Sequence, residues 1–365
     1  MSWQLGLARW AAHLGRDLQR AARTAGGGRA LWGAPAGALE RILRVEGAAA
    51  AELVGIRRAF DPVREVAELG SAGIRHIGRG KDGYPARLDE IVDPPFGIFV
   101  AGHGEIGGDL TRPVIAVVGS RRPTTFGMGF ARDLARGLAA RGALIVSGLA
   151  LGIDAEAHAG ALAADSDTVA VLGAGVDVSS PRRNDGLRRQ ILAQGLVVSE
   201  YWPGTEPAPW RFPARNRIVA GLADAVVVVE AGERSGALIT ADFALEQGHP
   251  VLAVPGSPGA VASTGCNALL RAGAAMCESV QDVVDECPGL TWREHDEADL
   301  SMPTGLDGQI YELLGREPLR ADEVTFRVGT DAAAVAAALG RLELDGYIIR
   351  GQAQRYWAAS LRGAA

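Results

Sequence analysis

Arginines and aromatic side chains alternate in one short stretch of the sequence, residues 210–217 (WRFPARNR). Guanidinium groups present a planar fork of donors that suits phosphates. Aromatic rings are platforms on which unstacked bases stack whatever their identity. Any one of these side chains is explained about as well by core packing or a solvated face as by nucleic-acid binding, but five of them within eight positions favour a groove that binds a nucleic acid. The five are Trp210, Arg211, Phe212, Arg215 and Arg217.

The elements that must position this stretch are visible between about residues 113 and 286, where six apolar runs alternate with helical patterns. Near-continuous β-branched runs indicate strands buried on both faces, as in a parallel sheet with helices on each side. We therefore predict an α/β fold, a Rossmann-like doubly wound and mostly parallel sheet. Its ligand should bind at the carboxyl ends of the strands. The predicted strands are 114–119, 143–148, 168–173, 196–200, 225–232 and 251–256.

The ends of these strands carry features that suit an anion. Nearly every strand ends in glycine or Ser-Gly, where backbone N–H groups can approach an anion closely. The dinucleotide fingerprint GxGxxG is missing after the first strand, and we predict no cofactor. Arginines and amide donors from several loops should converge at one edge instead. The candidate binding residues at these loops are Gly119, Ser120, Arg121, Arg122, Ser147, Gly148, Arg182, Arg183, Ser235, Gly236 and Thr240.

Groups that could catalyse a reaction do not form a recognisable set. Neither a carboxylate pair nor a nucleophile–base pair nor a metal-ligand cluster stands among these loops. Asp154 and His158 are one helical turn apart and could pair, which we interpret as a structural hydrogen bond. Three cysteines, Cys266, Cys277 and Cys287, lack metal-ligand spacing and indicate a reducing cytoplasm without disulfides. The sequence therefore predicts a binding protein without a metal, not an enzyme.

The remaining sections flank this domain. The first consists of helical patterns over 3–23 and 36–70, in the style of sterile-alpha-motif or helix-hairpin-helix modules, and a connector of short strands that should lie against the next domain. The last reads as three helices and a two-stranded wing. The predicted boundaries are 1–112 for the helical N-terminal domain with its connector, 113–287 for the Rossmann-like domain, 288–302 for an acidic linker and 303–365 for a winged helix.

Charge and hydropathy restrict the partners. The net charge of −6 means that a nucleic-acid binder needs a local basic patch, which the arginine stretch could supply. From residue 303 onward, the sequence has seven arginines and eight acidic residues. Because phosphate neutralisation dominates DNA affinity, a protein-contact role for this section is at least as well supported as DNA contact. No apolar run is long enough to span a bilayer and no secretory leader is present, so we expect a cytoplasmic protein without a membrane partner.

The motifs VVGSRRPTTFG, IVSGLALGIDAEAH, FPARNRIVAGL and VVVVEAGERSGALIT follow one another in the central section. With them the chain resembles the DprA (Smf) DNA-processing family over essentially all of 113–286, and the last section resembles that family's winged helix. The resemblance implies a protein that binds and protects incoming single-stranded DNA and loads the RecA recombinase during natural transformation. It also implies a homodimer formed through the Rossmann domain, and it makes the single-stranded DNA-binding protein a candidate partner.

The resemblance also implies where DNA binds. Gly119-Ser120-Arg121 and Phe212-Pro213-x-Arg215-Asn216-Arg217 correspond to the family's DNA pocket, with Ser235, Gly236 and Thr240 near it. One departure is Ser180, which stands where the family usually has an aromatic residue before a proline.

An alternative function is a nucleotide-binding enzyme related to the nucleoside-monophosphate phosphoribohydrolases. Those enzymes carry a PGGxGT loop and an acidic catalytic residue on a similar domain. The corresponding loop here reads EAGERSGALIT and begins with Glu230, so the signature is absent.

Overall fold

The computed structural model describes residues 2–104, 106, 112–293, 303–344, 347–351 and 354–358. Most of the predicted linker (294–302), the tip of the predicted wing (352–353) and the last seven residues (359–365) lie outside the described residues.

Helices fill the first section, as the sequence predicts. Leu7, Trp10, Leu39 and Leu53 are buried in a core of their own between these helices. Two strands and a short helix follow before the central section begins. The elements are α1 Ser2–Leu14, α2 Gln19–Ala25, α3 Gly28–Gly33, α4 Ala36–Leu43, α5 Gly47–Ala59, α6 Pro62–Ser71, β1 Ile74–Gly78, α7 Ala86–Glu90 and β2 Gly97–Gly102.

Strands and helices alternate through the central section, and each of the six predicted apolar runs contains one observed strand. Two 3₁₀ turns, Arg182–Asn184 and Val261–Ser263, lie between them. The elements are β3 Val114–Val118, α8 Thr125–Ala140, β4 Leu144–Ser147, α9 Ile153–Ala163, β5 Thr168–Val171, α10 Asp185–Gln194, β6 Leu196–Ser199, α11 Arg211–Leu222, β7 Ala225–Val228, α12 Gly236–Glu246, β8 Val251–Ala253, α13 Thr264–Arg271, β9 Ala275–Met276 and α14 Val280–Asp285.

The strands form one nine-stranded sheet in the order β1-β2-β6-β5-β4-β3-β7-β8-β9. The seven strands from β3 to β9 are parallel to one another, which confirms the predicted mostly parallel sheet. From β3 the chain runs outward through β4, β5 and β6, and then returns to place β7 on the other side of β3. Strand β3 is thus the topological switch point, and a crevice opens beside such a point at the carboxyl ends of the strands.

Alternate residues of β3 face opposite layers of helices, because side chains along a strand point to opposite faces. Ile115 and Val117 pack in one core with residues of α8, α9 and α14. Val114, Ala116 and Val118 pack in the other core with residues of α11, α12 and α13. Both faces of the sheet are therefore covered by helices, which explains why the strands read as continuous apolar runs.

The connector differs from the expectation. Strand β2 pairs antiparallel with β1 and with β6, so the connector extends the sheet instead of lying against it. Ile98, Phe99 and Val100 of β2 are all fully buried, and such a strand needs partners on both faces and both edges. A domain boundary at residue 112 would divide this sheet.

The last section has its own core, in which Ile310, Leu314, Val324 and Leu339 are buried. Its three helices follow the prediction. The wing contains one more short strand than predicted, because residues 319–320 pair with the second wing strand. The elements are α15 Gly305–Arg316, β10 Leu319–Arg320, α16 Ala321–Val328, α17 Ala332–Leu344, β11 Ile348–Arg350 and β12 Arg355–Ala358.

The three cysteines are free thiols and all are buried. Burial raises the pKa of Cys266 and Cys287 to about 11 and that of Cys277 to about 12, so the thiols stay protonated at neutral pH. None of the described helices has the length and hydropathy needed to cross a membrane.

Candidate nucleic-acid interface

A cavity of about 800 Å³ lies at the switch point of the sheet. The loops after β3, β4 and β7 form its walls together with the first turns of α11 and α12. Most of the residues singled out from the sequence therefore meet at one place. Those that line the cavity are Gly119, Ser120, Arg121, Arg122, Gly148, Phe212, Arg215, Asn216, Ser235, Gly236 and Thr240.

Helix α11 brings the arginine and aromatic stretch to this cavity. Pro213 is the third residue of the helix, a position where a missing N–H costs little because the first-turn N–H groups have no helical partner. Ile218 and Leu222, later in the helix, are fully buried in the core below the sheet edge. The helix is thus anchored at its carboxyl end and presents Phe212 and Pro213 to the cavity.

Phe212 and Arg121 form one unit on the wall of the cavity. The guanidinium carbon of Arg121 lies 5.1 Å from the centroid of the Phe212 ring, which is cation–π distance. The ring is half-buried, and its edge packs so closely on Gly173 that a Cβ there would lie 3.1 Å from Cδ1. The guanidinium lies over the ring, so a positive charge and an aromatic side chain stand together on the cavity wall, and these are the groups that suit a phosphate and a base.

Three exposed arginines of the cavity wall, Arg121, Arg122 and Arg234, have no carboxylate within ion-pair distance among the described residues. Two acids, Asp154 and Glu233, also line the cavity, but the four arginines of its wall, Arg215 included, outnumber them, so its formal charge is positive. The sequence reasoning missed Arg234. Its signal was present, because it lies in the EAGERSG loop at a predicted strand end.

Arg215 is in the cavity wall, but its Nη1 and Nε donate hydrogen bonds within the protein. Its Nη1 donates to the carbonyl of Gly148 at 2.8 Å and to that of Val171, and its Nε donates to Asn216 Oδ1 at 3.3 Å. Burial lowers the pKa of Arg215 to about 10, which leaves it charged at neutral pH. Arg215 thus holds the loop after β4 and adds positive charge behind it, and its contact with phosphate stays a prediction.

The loop after β4 is held from several sides. The Asp154 carboxylate accepts hydrogen bonds from the N–H groups of Gly148 at 3.1 Å and Ala150 at 3.4 Å. Burial raises the pKa of Asp154, although Arg215 acts to lower it. Asn184, which the sequence reasoning missed although it closes the SSPRRN motif, donates from Nδ2 to the carbonyls of Leu149 and Ala150 at 2.9 and 3.1 Å.

These contacts maintain an unusual backbone. Leu149 has a φ of 54°, in the left-handed region that a leucine rarely adopts. Gly152 has a φ of 83°, and a Cβ there would lie 2.3 Å from the carbonyl oxygen of Ser120. The loops after β3 and β4 therefore approach each other as closely as a glycine permits.

Asp154 and His158 do not pair with each other, so that expectation is wrong. His158 Nδ1 lies 2.8 Å from Thr168 Oγ1, which in turn donates to the carbonyl of Ile145. Burial lowers the pKa of His158 to about 3, so the ring is neutral in the folded protein. The two side chains serve different parts of the structure: the loop after β4 and the contact between α9 and β5.

Two of the predicted binding residues are structural. Ser147 is fully buried, and its hydroxyl donates to the carbonyl of Val117 at 2.6 Å. Arg217 is buried in a bidentate ion pair with Glu200, at 2.8 and 2.6 Å, and its Nε donates to the carbonyl of Asp93 at 2.9 Å. Neither side chain lines the cavity, because each points from its element into the body of the protein.

Three further arginines lie outside the cavity wall. Arg211 is buried between the rings of Tyr201 and Trp210. Arg182 and Arg183 are exposed on the 3₁₀ turn before α10. The structure therefore separates the predicted arginine set into a group at the cavity and a group around it.

Glu230 is turned away from the cavity. Its carboxylate accepts hydrogen bonds from the N–H group of Thr124, at 2.9 Å, and from the Thr124 hydroxyl. It lies so close to the start of α8 that a Cβ on Gly127 would be 2.5 Å from its carboxyl carbon. In this arrangement Glu230 caps a helix and is not available as an acid in the cavity.

Comparisons with known proteins agree in the family they indicate. The family model for DNA recombination-mediator protein A matches residues 75–288, and that for the DprA winged helix domain matches residues 294–353. A putative DNA processing protein DprA from Mycobacterium tuberculosis (strain H37Rv) is 37% identical over 330 residues, 86% of this chain and 85% of that protein.

Two solved structures are also similar. The X-ray structure of DNA processing protein A from Streptococcus pneumoniae has a TM-score of 0.60 and 33% identity, and the match covers 81% of this chain and 94% of that one. The structure of DNA processing protein A from Helicobacter pylori, described for its single-stranded DNA binding mode, has a TM-score of 0.53 and 31% identity. That match covers 59% of this chain and 96% of the other.

Proposed function

The chain belongs to the DNA recombination-mediator protein A family, and from this premise we propose that it binds single-stranded DNA in the cavity at the switch point of its sheet. It acts there as a mediator of recombination and not as an enzyme. The Helicobacter pylori relative, whose structure is described for its single-stranded DNA binding, supports this assignment at 31% identity.

The observation that carries the proposal is the combination of free positive charge and an accessible ring. Arg121, Arg122 and Arg234 have no carboxylate partner in the described part of the chain, and Phe212 presents a half-buried ring beside Arg121. Positive charge that is not neutralised internally favours phosphate. A ring at the same place favours an unstacked base over a base pair, because only a single strand can turn its bases outward.

The roles follow from exposure. Arg121, Arg122 and Arg234 contact phosphates, aided by backbone N–H groups at Gly119 and Ser120 and by the start of α12 at Ser235 and Gly236. Phe212 stacks a base. Four other wall residues, the buried Gly148, Arg215 and Thr240 and the half-buried Asn216, shape the wall and hold the loops in place.

The wider role follows from family membership. We propose that the protein protects incoming single strands and loads the RecA recombinase onto them during natural transformation, in the cytoplasm. It would do so as a homodimer formed through the sheet domain, with the single-stranded DNA-binding protein as a further partner. The winged helix, in which acids balance arginines, is assigned to protein contact or regulation as readily as to DNA.

We also propose a revised division of the chain. The helical domain ends near residue 73, the sheet domain extends from residue 74 to about 287, and the winged helix begins near residue 303. This division keeps β1 and β2 with the sheet they extend.

The alternative of a nucleoside-monophosphate hydrolase is not favoured. It requires an acid that reaches a sugar in the cavity, and Glu230 is instead bound to Thr124 at the start of α8. The remaining carboxylate at the cavity floor, Asp154, is engaged by two backbone N–H groups. Incubation with nucleoside monophosphates tests the point directly, since release of free base would support the alternative that the protein is a hydrolase.

Binding itself is tested by titrating a labelled 20-nucleotide thymidine strand and a duplex of equal length, each at several salt concentrations. We expect the single strand to bind more tightly and its affinity to fall steeply with salt. Equal affinity for both forms, or affinity that salt does not change, would overturn the proposal. Adding RecA to strands coated with single-stranded DNA-binding protein, with and without this protein, then tests loading, with Phe212→Ala as the binding-deficient control.

A further inference from the structure

A second cluster of aromatic and arginine side chains lies at the start of α11, next to the cavity but outside its wall. The guanidinium carbon of Arg211 is 5.2 Å from the centroid of the Tyr201 ring and 4.9 Å from that of the Trp210 ring. The two rings stand at 87° to each other with centroids 6.1 Å apart. We call Tyr201, Trp210 and Arg211 the outer cluster.

The charge of Arg211 has no counterion in the described part of the chain. The residue is 8% exposed, yet its only hydrogen-bond acceptor there is the carbonyl oxygen of Glu206, and its Nε has no partner. Arg217, six residues further along the same helix, is instead paired with Glu200. A buried guanidinium without a carboxylate is costly to keep, and an approaching anion relieves that cost.

Trp210 provides the accessible part of the cluster. It is 40% exposed, one of the few large aromatic side chains in the described residues that are. Pro209, immediately before it, lines the cavity, and so does Phe212, two residues after it. Phe212 and Trp210 are two positions apart, so their Cα atoms are at most about 7 Å apart. A single DNA strand that leaves the cavity over Pro209 therefore meets Trp210 next.

We propose that the outer cluster is a second binding position for single-stranded DNA, at which the base of a flanking nucleotide stacks on Trp210 and its phosphate approaches Arg211. This inference rests on the proposed function of the cavity, because the strand that reaches Trp210 is the one that the cavity holds. Tyr201 orients Arg211 from behind, where burial raises the Tyr201 pKa and keeps its hydroxyl neutral.

Tryptophan fluorescence tests the stacking, because a base stacked on an indole quenches its emission. Saturating the wild type with a 20-nucleotide thymidine strand should quench part of the emission, and the Trp210→Phe variant should lose that part. Trp202→Phe is the matched control: Trp202 is 8% exposed and packs on Phe99, so its removal should leave the quenching in place. Unchanged quenching in Trp210→Phe would overturn the proposal.

Affinity gives the second readout. Anisotropy of the labelled strand should show about tenfold weaker binding by Trp210→Ala, in line with the loss of one stacked base. Trp210→Phe, which keeps a ring, should bind nearly as well as the wild type. Arg211→Met, which keeps the length of the side chain but not its charge, should lower the slope of log affinity against log salt by about one. Melting temperatures establish that each variant is folded.

The outcomes distinguish the two proposals. If the wild type does not bind the strand at all, the function proposed for the cavity fails and the outer cluster fails with it. If Phe212→Ala weakens binding while Trp210→Ala and Arg211→Met bind like the wild type, the cavity stands and the outer cluster alone is rejected.

Discussion

Arg121 and Phe212 reach each other from different elements, the loop after β3 and the first turn of α11, with 5.1 Å between the guanidinium carbon and the ring centroid. Neither side chain is fully buried by packing within the protein. Arg121 is exposed and Phe212 is half-buried, so both retain a surface for a ligand. The loop after β3 also touches the loop after β4 through Gly152, so the position of Arg121 depends on how that second loop is held.

Replacing Phe212 by alanine should weaken binding of single strands by on the order of 1–3 kcal/mol, because one stacking surface is lost. The melting temperature should fall only modestly, since the ring is half-exposed and does not belong to either core of the sheet. Phe212→Trp serves as the control, because it keeps an aromatic face. A variant that melts much lower than the wild type yet binds normally in the cold would show that the ring is a packing residue.

Replacing Arg121 by alanine should weaken binding about equally for all base compositions and reduce the salt slope by about one. The physical reason is that an exposed arginine without an internal carboxylate contributes to phosphate neutralisation and little to folding. Arg58→Ala, an exposed arginine of α5 outside the cavity wall, is the matched control. An Arg121→Ala protein with normal binding and a large loss of stability would contradict the assignment.

Much of this arrangement could be predicted from the sequence, for reasons that particular residues make plain. The runs at 114–118 and 225–228 predicted the sheet because burial on both faces leaves no polar position in them. Ser120 and Gly236 could be placed at one edge because parallel strands end together. The strand β2 was harder to assign to the sheet, because Pro94 and Pro95 just before it suggested a turn.

The fate of individual arginines could not be predicted. Arg215 and Arg217 are two residues apart on α11, yet one points to backbone carbonyls and the other to Glu200. Their partners come from distant parts of the chain, and a local pattern holds no information about them. Whether an arginine binds a ligand or the protein itself is decided by such partners.

The buried pair of Arg217 and Glu200 should be a large stabilising contact when judged by single substitutions. Arg217→Ala leaves the Glu200 carboxylate buried without a cation, which should cost about 3–5 kcal/mol in the free energy of unfolding. The protein that remains folded should bind single strands normally, because the pair lies outside the cavity. Chemical denaturation measures the first effect and anisotropy the second.

A cycle with Glu200→Gln and the double variant isolates the interaction between the two side chains. The exposed pair of Arg64 and Glu68 is the control, and Arg64→Ala should leave the denaturation midpoint unchanged. Loss of DNA affinity in folded Arg217→Ala would show that Arg217 takes part in DNA binding.

Asn184 should affect binding without touching DNA. Its Nδ2 donates to the carbonyls of Leu149 and Ala150, and its loss leaves two acceptors of a strained loop unpaired. Asn184→Asp should weaken binding more than Asn184→Ala does, because a carboxylate facing two carbonyl oxygens repels them. Asn184→Ala should itself destabilise the protein by about 1–3 kcal/mol. Equal affinities for the wild type and both variants would show that the loop keeps its shape unaided.

The stability of the protein should decrease on mild acidification, because two histidines must stay neutral in the folded state. Burial lowers the pKa of His76 from 6.5 to about 4 and that of His158 to about 3. The unfolded chain therefore binds more protons than the folded chain once the pH falls below about 6.5. Stability that is fully present above that pH is lost as the pH falls toward 4, with each histidine contributing up to about 1.4 kcal/mol per pH unit.

Urea denaturation between pH 7 and pH 5 measures this slope. Asp17 and Asp154 act in the opposite direction, because burial raises their pKa values, so the test compares a variant with the wild type at each pH. His76→Leu should reduce the slope by the share of one histidine. His103→Leu, at an exposed position, is the matched control. A wild-type stability that stays constant from pH 7 to pH 5, with equal slopes in all three proteins, would mean that His76 gains a partner or water when it is protonated.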